Sequence, residues 1–321
     1  MTEALTRALR IARRGYMKFA ADKDPFGVSF DADLAGQAAS DLIRTRIEDD
    51  RPVMIARFGL NELSAVLTYL AARNGSILRK SAAYVRGNAK EFWWEPALVA
   101  AMSNNAGFFP PDTELLNRFC SHMLDAMADV DVLGSWLKGE RVVAPYLRKP
   151  VKVRLRDLEP YYHADPWTEA LAGRDVLIVH PYSESIRRQY AKRTQLFSDG
   201  RVLPEFNLLT LRAVQSIAGS DPGFRDWFEA YDAMAEQLAE LEFDVAIIGC
   251  GAYGFPLAAH VKRLGKKAVH LGGATQILFG IKGKRWDQHE FISQLFNEHW
   301  ARPLASEHPE GYMSIEEGCY W

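Results

Sequence analysis

The sequence predicts an α/β protein of Rossmann-like type: a mostly parallel sheet flanked by helices, with a helical N-terminal segment. Three observations predict it. Short apolar runs, such as residues 175–179 (DVLIV) and 244–248 (DVAII), alternate with helix-period segments, the pattern of βαβ units in a covered sheet. Glycine-rich turns follow two of the late runs. The 321 residues are 48% hydrophobic and 25% charged, a globular balance that excludes a disordered chain, a collagen-like repeat and a coiled coil.

The elements follow in order. Residues 1–20 read as a basic amphipathic helix: Leu5, Leu9, Ala12, Tyr16 and Phe19 recur on one face, and Arg7, Arg10, Arg14 and Lys18 on another. It either packs on its own domain with a solvated basic face or docks on an anionic membrane surface. A turn-rich stretch over 22–31 leads into helix-compatible sequence to residue 50, and 52–58 (PVMIARF) is a buried strand ended by Gly59. A helix through Leu63, Val66, Leu67 and Leu70 follows. Residues 106–109, 130–133 and 142–146 are short strand candidates, with a helix carrying Leu115, Leu116, Phe119, Met123 and Met127 between the first two. The second half reads as strand 175–179, helix 183–197, helix 222–241, strand 244–248, helix 256–264 and strand 267–271. This divides the chain into a helical segment, 1–45, and an α/β domain, 46–321, with halves of about 46–150 and 170–290 and a C-terminal tail packed on the domain.

A net charge of −2 gives no global field for nucleic acid, so anion binding must come from local clusters. The three cysteines, Cys120, Cys250 and Cys319, form neither a disulfide framework nor a zinc ribbon and fit a reducing, cytoplasmic compartment. No window has the roughly 18 apolar residues of a membrane span. No apolar stretch with a cleavage site opens the chain, so export is not expected. Ser135, Ser183 and Cys250 lack the local signatures of hydrolase nucleophiles.

Gly249-Cys250-Gly251-Ala252-Tyr253-Gly254 matches G-x-G-x-x-G and sits between a strand and a helix, where that motif brings backbone N–H groups and a helix N-terminus to a phosphate. The alternative is that its glycines serve tight helix–strand packing. A nicotinamide site also requires an acid at the end of the next strand, and that strand ends His270-Leu271-Gly272-Gly273-Ala274-Thr275-Gln276 with none, so no nicotinamide cofactor is expected. Two small-residue turns at strand ends point to one crevice. Beyond them Lys284, Arg285 and Trp286 set cations beside a flat aromatic, which suits a diphosphate next to a base or sugar ring.

Arg57-Phe58-Gly59-Leu60-Asn61-Glu62 lies at another strand-to-helix junction. Asn61 can cap the helix and the helix dipole favours Glu62 in its first turn. Arg57, closing an apolar strand, requires a partner: either Glu62 itself or a ligand phosphate. This segment resembles the Arg-x-Gly-Asp-x-Glu signature of bacterial glycosyltransferases of the GT-D type, with Leu60 in place of the aspartate. Residues 103–110, 131–136, His180-Pro181 and 249–286 resemble further segments of the GT-D-like group, in order, over most of the chain.

The resemblance implies a glycosyltransferase of surface polysaccharide or glycoconjugate assembly, moving a sugar from a nucleoside-diphosphate donor to a saccharide or lipid-linked acceptor. It further implies that Glu62 keeps one acid of a manganese- or magnesium-binding pair and Leu60 loses the other. On this reading Glu62, Arg57 and His180 are catalytic, with His180 a candidate base. Gly59, Asn61, Gly249, Gly251, Tyr253, Gly254, Gly272, Gly273, Thr275, Gln276, Lys284, Arg285 and Trp286 hold the donor. Trp93, Trp94, Asn104 and Asn105 offer stacking and hydrogen bonds to an acceptor sugar. The rivals are a nucleotide-binding module without turnover, favoured by Leu60, and an NADP-dependent oxidoreductase, favoured by the glycine pattern.

Overall fold

The computed structural model describes residues 2–314 and 318–321. Along the chain come helices α1 (Glu3–Met17) and α2 (Gln37–Glu48), strand β1 (Val53–Ala56), and helices α3 (Leu60–Arg73), α4 (Ile77–Val85), α5 (Pro96–Asn104) and α6 (Thr113–Met127). Strand β2 (Val132–Ser135), the short α7 (Glu140–Val143), β3 (Val151–Arg154), β4 (Asp175–His180), α8 (Ser183–Tyr190) and β5 (Asn207–Arg212) follow. Helix α9 (Trp227–Glu240), β6 (Val245–Ile248), α10 (Gly254–Arg263), β7 (Lys267–His270), α11 (Ala274–Leu278) and α12 (Ile292–Leu295) complete the order.

The seven strands form one sheet in the order β3-β2-β1-β7-β6-β4-β5, every pair parallel. Register at its centre sets Met54 beside Ala268 and Ile247 beside Val269. Both faces are covered, which is why β1, β4, β6 and β7 are nearly continuous apolar runs. On one face α3, α6, α9 and α10 bury Val66, Phe119, Trp227 and Leu257. On the other, α2, α8 and α11 bury Ile43, Ile186 and Ile277. The boundary drawn at 45 falls inside α2, which packs against β1 through Ile43 and Ile47.

Chain order reverses direction across this sheet. Outgoing helices leave β1 and β6 on the first face, and leave β4 and β7 on the second. The reversals open a crevice outside the strands' carboxyl ends, where ligands of open α/β sheets sit.

Two strand expectations are corrected. Residues 106–109 form no strand: the Ala106 carbonyl takes the Ala252 N–H at 2.9 Å and the Phe109 carbonyl takes Trp227 N–H at 2.8 Å, tying the segment to the loops before α10 and α9. Residues 142–146 end α7 and continue as a 3-10 turn through Pro145. The buried Glu140 carboxylate favours that helical path by accepting the N–H groups of Trp136 and Leu137, both at 3.0 Å. Strand 130–133 shifts to 132–135, and β3 and β5 are additional edge strands. The N-terminal stretch lies along the β3 edge, where Leu34 N–H donates to the Lys152 carbonyl at 3.1 Å.

Helix α9 begins at residue 227 rather than 222 because Asp226 caps it, its carboxylate accepting from Phe228 and Glu229 N–H at 2.9 and 3.0 Å. Asp226→Ala leaves those amides without that acceptor and is expected to lower unfolding free energy by about 1 kcal/mol. Urea denaturation of wild type and variant checks this.

Candidate functional site

The crevice is a cavity of about 350 Å³ lined from the carboxyl ends of every strand except β3. Arg57 enters after β1, Trp136 after β2, His180 ends β4, Gly249 and Gly251 follow β6, and Gly272 and Gly273 follow β7. The last two residues of the chain close one side. Tyr320 and Trp321 line the cavity, held there because the Trp321 carbonyl accepts from Lys284 N–H at 3.0 Å and the Cys319 carbonyl from Arg285 N–H at 3.0 Å. These two bonds tie residues 319–321 to the turn at 284–285.

Arg57 is half-buried, its guanidinium carbon 5.2 Å from the centre of the Trp136 ring. Trp136 is itself fixed by its indole N–H, which donates to the Phe58 carbonyl at 2.9 Å. Burial lowers the Arg57 pKa, opposed first by the charge of Glu62 and then by Tyr320 and Glu159. The two side chains form no ion pair within 4 Å. Glu62 instead folds back over the start of α3, so close that a Cβ on Gly59 would lie 1.9 Å from its Oε2. Gly59 has an ordinary φ of −73°, so glycine is required here for space rather than for conformation. Burial pushes the Glu62 carboxyl above its ordinary range, against the pull of its own N–H and of Arg57.

His180 and His270 are buried, and burial pushes each down to about 3, so both rings are neutral at physiological pH. Their tautomers follow from their partners. His180 Nδ1 accepts from Tyr182 N–H at 3.0 Å, which places the ring proton on Nε2. In the cavity this side chain is a hydrogen-bond donor, not the base expected from the sequence. His270 Nδ1 faces the Arg57 carbonyl at 3.1 Å and must carry the proton, locking the backbone of Arg57 to β7.

The glycine pattern has an internal explanation. A Cβ at Gly249 would meet the Gly272 carbonyl at 2.5 Å, one at Gly251 the Ala106 carbonyl at 2.6 Å, and one at Gly254 the His270 ring at 2.4 Å. Gly251 also has φ +56°, which disfavours any side chain. Two amides of the region are engaged by the protein, Gly249 N–H with the Val179 carbonyl and Ala252 N–H with that of Ala106. Close packing of loop on loop thus accounts for all three glycines. The start of α8 is likewise occupied: the buried Glu307 carboxylate accepts from Glu184 N–H at 2.8 Å, from Ser185 N–H at 3.3 Å, and from the Ser185 hydroxyl.

Of the residues expected at the site, Arg57, Gly59, Asn61, Glu62, Asn105, His180, Gly249, Gly251, Tyr253, Gly272, Gly273, Gln276 and Arg285 line the cavity. Arg285 stands over the Tyr320 ring at 4.6 Å and donates to its hydroxyl at 3.2 Å. The others lie elsewhere. Gly254 packs beneath His270, and Thr275 is fully buried behind Gly249. Trp286 is buried with its ring against Gly283 and 6.4 Å from that of Tyr320, so it supports the C-terminal tail instead of facing the cavity. Lys284 is exposed outside the cavity lining.

The acceptor residues separate in the same way. Trp93 packs with Tyr84 and Phe92 in a small cluster, its indole N–H bonded to Glu95. Trp94 packs against the core, and Asn104 is exposed outside the cavity, its carbonyl accepting from Ala218 N–H at 3.2 Å. Sequence reasoning gave no role to Trp136, His270, Ser216 or Tyr320. Two of them carried a usable signal, since Trp136 directly follows a strand and His270 ends one.

The donor set does not fit a resident divalent cation. Among the described residues Glu62 is the one Asp or Glu side chain that lines the cavity, burial disfavours its ionised form, and its neighbour two positions earlier in the lining is the apolar Leu60. Among the described residues no group of three His, Cys, Asp or Glu side chains could hold a metal. Among the described residues the cations of the cavity are instead Arg57 and Arg285.

Glu159, beside Arg57, accepts the Tyr161 hydroxyl, and burial pushes its pKa from 4.5 to about 7. The folded protein therefore holds this proton more tightly than the unfolded chain, and stability falls as pH rises between about 4.5 and about 7. Glu159→Gln removes that fall. Urea midpoints at pH 5 and pH 8 are expected to move closer together in the variant, with its gain over wild type at pH 8. No family model, curated protein or solved structure matches this chain.

Proposed function

We propose that the chain is a glycosyltransferase that takes a sugar from a nucleoside-diphosphate donor and passes it to a saccharide or lipid-linked acceptor. The observation that carries this reading is the convergence of Arg57, Arg285 and Glu62 on one crevice at the carboxyl ends of the strands. The two guanidinium groups offset the charge of the donor diphosphate in the ground state and of the leaving diphosphate as the glycosidic bond breaks. Arginine suits this work because its charge persists at every physiological pH and its fork matches phosphate oxygens.

Glu62, raised by burial, takes the proton of the acceptor hydroxyl while that oxygen bonds to the anomeric carbon and the nucleoside diphosphate departs. The Nε2–H of His180 donates to the bound ligand. Tyr320 and Trp136 are flat surfaces for the base or sugar. Because arginines take the place of a metal, transfer is independent of divalent cations on this reading. Its setting is surface polysaccharide or glycoconjugate assembly in the cytoplasm.

A second reading, nucleotide binding without turnover, is favoured by one observation. Leu60, 52% exposed at the cavity, stands where the resemblance places an acid. The two are separated by incubating the protein with UDP-, GDP- and dTDP-linked sugars, simple saccharides and polyprenyl-diphosphate sugars, and detecting released nucleoside diphosphate. Acceptor-dependent release from one donor that persists in EDTA is the expected result. Nucleotide binding with no release supports the second reading, and binding of NADPH alone overturns both.

A further inference from the structure

Helix α1 does not contribute to the crevice, yet side-chain contacts fix it to the rest of the fold. Leu9 is buried with Tyr84 and Phe92, and the Arg13 guanidinium donates to the carbonyls of Tyr84 and Ala89 at 2.5 and 3.0 Å. Arg10 pairs with Glu95 at 2.5 Å. These contacts hold α1 along α4 and decide which of its faces points outward.

The outward face is apolar to an unusual degree. Phe19 is 90% exposed, Ile11 62% and Tyr16 47%, and at the start of α4 Leu78 is 78% exposed. Leu5 on α1 and Ile77 at the start of α4 are exposed as well, at 39% and 51%. Beside this apolar stripe Arg7, Arg14 and Lys18 are exposed and have no acidic partner within 4 Å among the described residues. Residues 3–18 carry Arg7, Arg10, Arg13, Arg14 and Lys18 against Glu3, in a chain whose net charge is −2.

We infer that α1, with the start of α4, is a docking surface for an anionic lipid bilayer, on which the protein lies as a peripheral membrane protein. Apolar side chains beside a basic stripe match the acyl boundary and the acidic headgroups together. A second copy of the same face is a poor occupant, because it would set Arg7, Arg14 and Lys18 against the same cations. No described helix is long and apolar enough to cross a membrane, so the contact is interfacial. The inference rests on α1 and stands apart from the transferase reading.

The test is co-sedimentation of the full chain with phosphatidylglycerol-containing and pure phosphatidylcholine vesicles, at low and high salt. Partitioning onto the anionic vesicles about tenfold or more above the neutral ones, weakened by salt, is expected. The double variant Ile11→Ser/Phe19→Ser is expected to lower it by about tenfold, with an unchanged melting temperature showing that the fold is intact. Equal binding to both vesicles, no binding, or an unaffected variant overturns the inference. So does a dimer in sedimentation velocity that the double variant abolishes, because the face would then join two copies. Nucleotide titration of the vesicle-free protein reads the crevice alone, so either proposal can fail without the other.

Discussion

Replacing Arg57 with alanine is expected to lower kcat/KM for the donor by about 10²–10³-fold, the scale of removing one preorganised charge from a transition state. The side chain is half-buried, packed on Trp136 and anchored through its carbonyl by His270, so it is oriented before a ligand arrives. On the transferase reading, a preorganised cation in a partly dry cavity acts on the leaving diphosphate without reorganising. Arg57→Lys keeps the charge and loses the fork, and is expected to restore only part of the loss. Kinetics of both variants, with melting temperatures as the control for folding, check the role. Wild-type rates in Arg57→Ala would remove it from the mechanism.

Glu62→Gln is expected to act on a different parameter. Loss of a general base lowers kcat by about 10²–10⁴-fold. Donor binding is expected to hold or tighten, because a negative charge near the diphosphate disappears. Burial raises the Glu62 carboxyl, so the acid limb of the wild-type pH–rate profile is expected above the ordinary carboxylate range. Activity then rises with pH as Glu62 ionises, and that limb is absent from the residual activity of the variant. An equal loss of kcat and donor affinity, with the pH profile unchanged, would reassign Glu62 to binding.

The legible parts of the fold were those in which one physical signal dominates. Central strands such as 244–248 are covered on both faces and read as apolar runs. The edge strand β3, Val-Lys-Val-Arg, is too short and too mixed to stand out from a loop. Residues 106–109 mimic a strand because burial, not strand pairing, explains their apolar character: Phe108 is fully buried, against Phe119 and Trp227. Periodicity over four residues cannot separate those causes.

The candidate site divides along the same line. Arg57, Glu62, His180 and the turns after β6 and β7 were legible because strand ends in a parallel sheet converge. Tyr320 and Trp286 depend on how a tail about 35 residues later folds back, which no local pattern encodes. The glycine turn shows the opposite risk. Its spacing matches a phosphate-binding motif, yet each glycine already has a protein atom pressing on it.

On the proposed reading this crevice holds a nucleoside diphosphate between arginines, without a metal. The most direct measurement is isothermal titration calorimetry of UDP, GDP and dTDP in EDTA, with wild type and Arg57→Ala/Arg285→Ala. Saturable binding of one nucleotide by wild type, weakened about 100-fold or more in the double variant, is the predicted result. Binding that appears only with added manganese, or that survives the loss of both arginines, would contradict it.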